Sequence, residues 1–167
     1  MRHGLPKLRT FGHTNERETT TYNGTFMENK KNKAHILLIE DDESIRFMLQ
    51  TKLYKDGYSV SVAANGLHAL QILRSGTKFN LILCDLKMPG KDGLQFFNAM
   101  LEMNLKIPTV LLTGYPEKNK IIEAIRNGVR DVLLKPIKHQ ELVDKIKKYI
   151  EESVADGPGE AVESQAA

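Results

Sequence analysis

The 167-residue chain contains a single cysteine, Cys84, which excludes an intramolecular disulfide and any zinc site built on several cysteines. No apolar run approaches the roughly 18 residues that a membrane helix requires, and the N-terminus lacks the apolar stretch of a signal peptide. Membrane insertion is therefore not expected, and the cytoplasm is the expected location. A net charge of +3 is too small to indicate a nucleic-acid surface, and no internal repeat is present. What remains is globular in character, at 41% hydrophobic and 27% charged residues, and long enough to build a core without disulfides or structural metal.

The modest total conceals an uneven distribution. Residues 1–33 carry seven Lys/Arg and three Asp/Glu, residues 34–151 carry 17 and 14, and residues 152–167 carry four acids and no base. The first segment, with its Asn15-Glu16-Arg17-Glu18-Thr19-Thr20-Thr21 stretch, has neither helical nor strand period and reads as a disordered arm. Met27, just before Glu28-Asn29-Lys30-Lys31-Asn32-Lys33, marks an alternative translation start that intact mass would test. The last segment, through Asp156-Gly157-Pro158-Gly159, reads as a disordered acidic tail. The folded domain is expected over residues 34–151.

Within those limits short apolar runs alternate with segments of helical period. His35 to Glu40 is apolar on both faces, like a strand covered on both sides. Ile45, Met48, Leu49 and Leu53 then mark one helix face, and Gly57 ends that helix. Tyr58 to Val62 alternates with period two, as an edge strand does. Further strands are expected at Leu81–Asp85, Ile107–Thr113 and Asp131–Leu134. The helices after them, and the one opened by Asn65-Gly66, carry Leu67, Leu70 and Leu73; Leu94, Phe97 and Leu101; Ile121, Ile122 and Ile125; and Leu142, Val143, Ile146, Tyr149 and Ile150. Five strands, each followed by a helix, imply a doubly wound α/β domain, a parallel sheet with helices on both faces.

In such a sheet ligands bind beyond the carboxyl ends of the strands. Strand one ends in Glu40-Asp41-Asp42-Glu43, strand three in Asp85, strand four in Thr113-Gly114 and strand five in Lys135-Pro136. Asp42 is expected to cap the first helix. Carboxylates brought together at 4 Å repel by about 1 kcal/mol in water and about 4 kcal/mol at an effective dielectric of 20. Glu40, Asp41 and Asp85 therefore call for a cation, and hard oxygen ligands favour Mg²⁺. With an ammonium from Lys135 and a hydroxyl from Thr113, the set suits phosphoryl transfer to an aspartate. Each residue alone is ordinary, a cap, a strand filler or a solvated terminus; their joint occurrence at four strand ends is what points to function.

Four blocks carry a family resemblance: Ile36 to Arg46 with Glu40-Asp41-Asp42-Glu43; Leu81 to Gly93 with Asp85, Met88-Pro89-Gly90 and Asp92-Gly93; Val110 to Gly114 with Thr113; and Gly128 to Pro136 with Lys135. Together they resemble a response-regulator receiver domain. The resemblance implies a flavodoxin-like fold with strand order 2-1-3-4-5 and a stand-alone phosphorylation switch of a two-component system or phosphorelay. It implies that Asp85 accepts a phosphoryl group from a sensor histidine kinase or a histidine phosphotransfer protein. Asp41, Asp85 and the main-chain carbonyl of Lys87 would bind Mg²⁺ directly, with Glu40 reaching it through water; Asp42 is not a metal position. Thr113 and Lys135 would each bind a phosphoryl oxygen, and the Lys135-Pro136 peptide would be cis.

The sequence departs from the family at Val132, where a Tyr or Phe usually serves as a rotating switch. Valine has one stiff χ1 bond and no ring to swing, so the response is expected to run through the loop Gly114-Tyr115-Pro116. Lys87 would either approach the phosphoryl group or point to solvent; Cys84 reads as core, and His139 as the start of the last helix. Because only 16 residues follow Glu151, no output domain is expected. Output would come from a partner docking on helix four, strand five and helix five, where nine Lys/Arg face six Asp/Glu over residues 114–151. The competing readings are a constitutive binding module, consistent with Val132; an aspartate-nucleophile phosphatase, disfavoured by Lys87 two residues after Asp85; and a flavin or nucleotide binder, disfavoured by the acidic first loop.

Overall fold

The computed structural model describes residues 33–155. It contains β1 (Lys33–Ile39), α1 (Glu43–Lys55), β2 (Tyr58–Ala63), α2 (Gly66–Arg74), β3 (Leu81–Asp85), α3 (Gly93–Glu102), β4 (Thr109–Thr113), α4 (Lys118–Arg126), β5 (Asp131–Leu134) and α5 (His139–Ala155). The arm and the Met27 start, before residue 33, and the tail beyond residue 155 lie outside the described residues. At the expected limits of 34 and 151 the elements run slightly further. β1 takes in Lys33, and α5 continues to Ala155 because no glycine or proline interrupts it before Gly157.

All five strands pair in parallel, in the order β2-β1-β3-β4-β5, the flavodoxin-like doubly wound arrangement. Alternation along the strands divides the core in two. Leu37, Ile39, Ile82, Cys84 and Leu111 face one side, against Ala69 and Leu70 of α2, Phe96, Phe97 and Met100 of α3, and Ala124 of α4. Ile36, Leu38, Leu81, Leu83, Val110, Leu112 and Leu133 face the other, against Leu49 and Leu53 of α1 and Leu142, Ile146 and Tyr149 of α5. Cys84 is fully buried in this core.

Local chemistry fixes the element ends. Asp42 caps α1, its side chain accepting from the Ile45 N–H at 2.9 Å, and Asp92 with Gln95 forms a capping box on α3. β4 starts two residues later than the apolar run suggests, at Thr109 rather than Ile107. Pro108 has no N–H for the ladder, though its carbonyl still accepts from Ile82 at 2.9 Å. The expected helix faces need correction at Met48, Leu67, Ile122 and Ile125, all exposed. On α4 the small Ala124 is the buried residue instead.

β5 is a four-residue edge strand that carries Lys135 at its end, and α5 holds it in place. The Tyr149 hydroxyl lies 2.9 Å from Asp131 Oδ2 and 3.2 Å from the Arg130 carbonyl oxygen, and Lys145 Nζ lies 2.6 Å from the same carboxylate oxygen. Burial, then the Asp131 carboxylate, push the Tyr149 hydroxyl up to about 12. A raised pKa contributes stability that is complete below the unfolded value and lost as pH rises through the folded one. Wild-type protein is thus expected to lose stability between about pH 10 and 12 relative to Tyr149→Phe, which starts about 1 kcal/mol lower at neutral pH. Urea unfolding against pH checks this: the two curves should converge at high pH, and parallel curves would contradict it.

Candidate functional site

Four strand ends bring the expected residues together. Glu40 directly follows β1, its N–H still laddered to the Ala63 carbonyl at 3.1 Å; Asp85 ends β3; Thr113 ends β4; Lys135 follows β5, its N–H on the Thr113 carbonyl at 2.8 Å. Lys135 Nζ sits 2.7 Å from Glu40 Oε2 and 3.2 Å from Asp85 Oδ2. Glu40 is 1% and Asp85 7% exposed, Thr113 is buried, and Asp41 is open to solvent. Carboxylate oxygens of Glu40, Asp41 and Asp85 all lie within 4.8 Å of one another.

The electrostatics follow from this crowding. Burial, reinforced by the Asp85 charge, holds the Glu40 carboxyl above its usual range even against the Lys135 hydrogen bond. Burial works against the charge of Lys135 too, but Glu40 and Asp85 outweigh it and hold the ammonium above its ordinary pKa. Three carboxylates around one ammonium leave an excess of negative charge. The Asp41 carboxylate has no hydrogen-bond or ion-pair partner among the described residues. A set of hard oxygen donors with one member uncommitted fits a divalent cation of the Mg²⁺ type.

The surrounding turns are tightly set. A Cβ at Gly93 would meet the Asp85 carbonyl oxygen at 2.5 Å, so only glycine lets α3 start this close to the end of β3. The Lys135-Pro136 peptide is cis. Thr113 Oγ1 is committed to the next loop, donating to the Tyr115 carbonyl at 3.0 Å and accepting from the Tyr115 N–H at 3.1 Å. Val132 pairs with Leu111 in the ladder and packs, half-buried, against the α2–α4 core.

Lys87 is exposed, and its N–H donates to Asp85 Oδ1 at 3.3 Å. Its Nζ lies 4.8 Å from the centroid of the Tyr115 ring, a cation–π contact that joins the two loops over the site. Sequence reasoning weighed phosphate and solvent for this side chain and missed the ring. It also left Arg46 without a role, although Arg46 Nη1 donates to the carbonyls of Glu40 at 2.8 Å and Asp41 at 3.2 Å. A contact made to main chain leaves no compositional signature, so nothing in the sequence marked it.

The family described as the response regulator receiver domain matches residues 36–147. Protein PetR of Rhodobacter capsulatus is 38% identical over 127 residues, covering 74% of this chain and 53% of that protein. Sporulation initiation phosphotransferase F of Bacillus subtilis is 35% identical over 115 residues, covering 69% and 92%. The chain thus spans about half of PetR, and 27% of the transcriptional regulatory protein ZraR of Klebsiella oxytoca. A CheY-like receiver domain protein from Methanospirillum hungatei superposes with TM-score 0.71 at 26% identity, over 75% of this chain and 99% of that one. The response regulator TrrA from Thermotoga maritima, solved in complex with Mg²⁺–BeF, gives 0.63 at 28%, over 70% and 98%.

The Lys135 contact generates a prediction. Lys135→Met leaves Glu40 buried without its cation, at a cost of roughly 3 kcal/mol at pH 7. Because the Glu40 pKa then rises further, the lost stability returns as pH falls through it. Urea unfolding at pH 7 and pH 5 should show the deficit shrinking at the lower pH; a deficit independent of pH would contradict the assignment.

Proposed function

The chain belongs to the response regulator receiver domain family, and from that premise we propose that it is a phosphorylation-controlled signalling switch of the cytoplasm, with Asp85 as phosphoacceptor. The donor is a phosphohistidine, on a sensor histidine kinase or a histidine phosphotransfer protein. The observation that carries this reading is the meeting of Glu40, Asp41, Asp85, Thr113 and Lys135 at the ends of four strands, with one ammonium bridging two buried carboxylates.

The reaction asks little covalent chemistry of the protein. An Asp85 oxygen attacks phosphorus, the phosphorus–nitrogen bond to the donor imidazole breaks, and the imidazole leaves with the bonding pair. Asp41, Asp85 and the Lys87 carbonyl would hold Mg²⁺, with Glu40 reaching it through water, and the ion would supply charge neutralisation for the phosphoryl oxygens. Lys135 offers its ammonium to one of those oxygens and Thr113 its hydroxyl to another.

Thr113 links this chemistry to shape. Its hydroxyl cannot serve a phosphoryl oxygen while it donates to the Tyr115 carbonyl, so phosphorylation frees the Gly114-Tyr115-Pro116 loop. This route needs no aromatic side chain at position 132. The output partner docks on α4, β5 and α5, a reading supported by the exposure of Ile122, Ile125 and Leu134 there.

Incubation with acetyl phosphate and Mg²⁺, followed by mass spectrometry, is expected to add one base-labile phosphoryl group, absent in Asp85→Asn and after chelation. Unmodified wild-type protein would instead identify a constitutive binding module. In the NMR spectrum, beryllofluoride with Mg²⁺ is expected to shift the amides of residues 114–116 and of α4. Shifts confined to residues up to 113 would sink the loop route.

A further inference from the structure

We propose that Arg46 is the positioning residue of the acidic pocket, orienting Asp41 toward a metal ion through the main chain; this rests on the receiver reading of the site. The three carboxylates are held in different ways. Glu40 and Asp85 are fixed through their side chains by Lys135. Asp41 has no side-chain partner among the described residues, so only its backbone fixes the direction in which its Cβ carries the carboxylate toward the pocket.

That backbone is a three-residue connection between Ile39, the last residue of β1, and Glu43, the first of α1. Its ends are pinned by the Glu40 N–H on the Ala63 carbonyl and by the Asp42 cap on the Ile45 N–H. Its middle is held by Arg46 Nη1, which donates to the carbonyls on both sides of the Asp41 N–H. Those two bonds fix the peptide planes flanking the Cα of Asp41, and with them the direction of its Cβ.

An arginine beside the acidic loop helps offset its charge, but that same charge would compete with a metal ion. Arg46 lies in the first turn of α1, at the positive end of the helix dipole, where a cation is disfavoured, and it neighbours a pocket that is to receive a second cation. A role exerted through charge would oppose metal binding; a role exerted through the two carbonyls supports it. The two roles predict opposite signs.

The test titrates full-length wild type, Arg46→Ala and Arg46→Lys with MgCl₂ alone, followed by amide chemical shifts, with the thermal unfolding of each protein recorded without metal. Arg46→Ala is expected to bind Mg²⁺ about 10-fold more weakly, as loss of an outer-shell partner does, and Arg46→Lys to recover part of that loss. At saturating Mg²⁺ the rate of phosphorylation by acetyl phosphate should return to near wild type in both, separating positioning from catalysis. Equal or tighter binding by a folded Arg46→Ala overturns the proposal while leaving the receiver reading intact. Wild-type protein that binds no Mg²⁺ overturns both. If Arg46→Ala does not fold, Arg46→Lys decides: an affinity equal to wild type, with no gain from the guanidinium, overturns the proposal.

Discussion

The ammonium of Lys135, set between the carboxylates of Glu40 and Asp85, is the contact on which the upper edge of the sheet depends. Two carboxylates this close repel by several kcal/mol at the dielectric of a protein surface, and Glu40, 1% exposed, has almost no water to turn to. One cation at 2.7 and 3.2 Å answers both problems. Because the three residues stand at the ends of β1, β3 and β5, the contact also ties the edge strand to the middle of the sheet. It leaves Asp41 without a side-chain partner among the described residues, and so leaves the pocket short of positive charge. A site balanced in this way suits a divalent ion and a phosphoryl group arriving together.

The second constraint is the double commitment of Thr113. Its hydroxyl is engaged at both the N–H and the carbonyl of Tyr115, while the Tyr115 ring lies under Lys87 from the neighbouring loop. The loop after β4 is thereby tied to β3 and β4 at once. Val132, short and packed into the core, offers no side-chain movement of its own. On the proposed reading, whatever a phosphoryl group changed at Thr113 would pass to main chain rather than to a buried ring.

Much of this was legible in the sequence because it depends on period and topology. Five apolar runs with helical segments between them dictate a parallel sheet. A parallel sheet places Glu40, Asp41, Asp85, Thr113 and Lys135 at one edge whatever the details of packing. Asp42 as a helix cap and His139 as the start of α5 follow from local chemistry. What the sequence hid is of three kinds. The facing of α4 depends on how much sheet lies beneath it, and four-residue β5 leaves little, so Ala124 is buried while Ile122 and Ile125 stay open. Contacts of side chains with main chain, such as Arg46 with the Glu40 and Asp41 carbonyls, have no compositional signature. Contacts between distant loops or elements, such as Lys87 with Tyr115 or Tyr149 with Asp131, need the packed fold before they can be seen.

The most direct measurement is a structure of the full chain with Mg²⁺ and beryllofluoride. The account predicts beryllium on an Asp85 oxygen, Mg²⁺ against Asp41 and Asp85, Thr113 turned away from the Tyr115 carbonyl, and Lys135 on a fluoride. An Asp85 left bare, with Lys135 still bridging it to Glu40 and no metal beside Asp41, would contradict it.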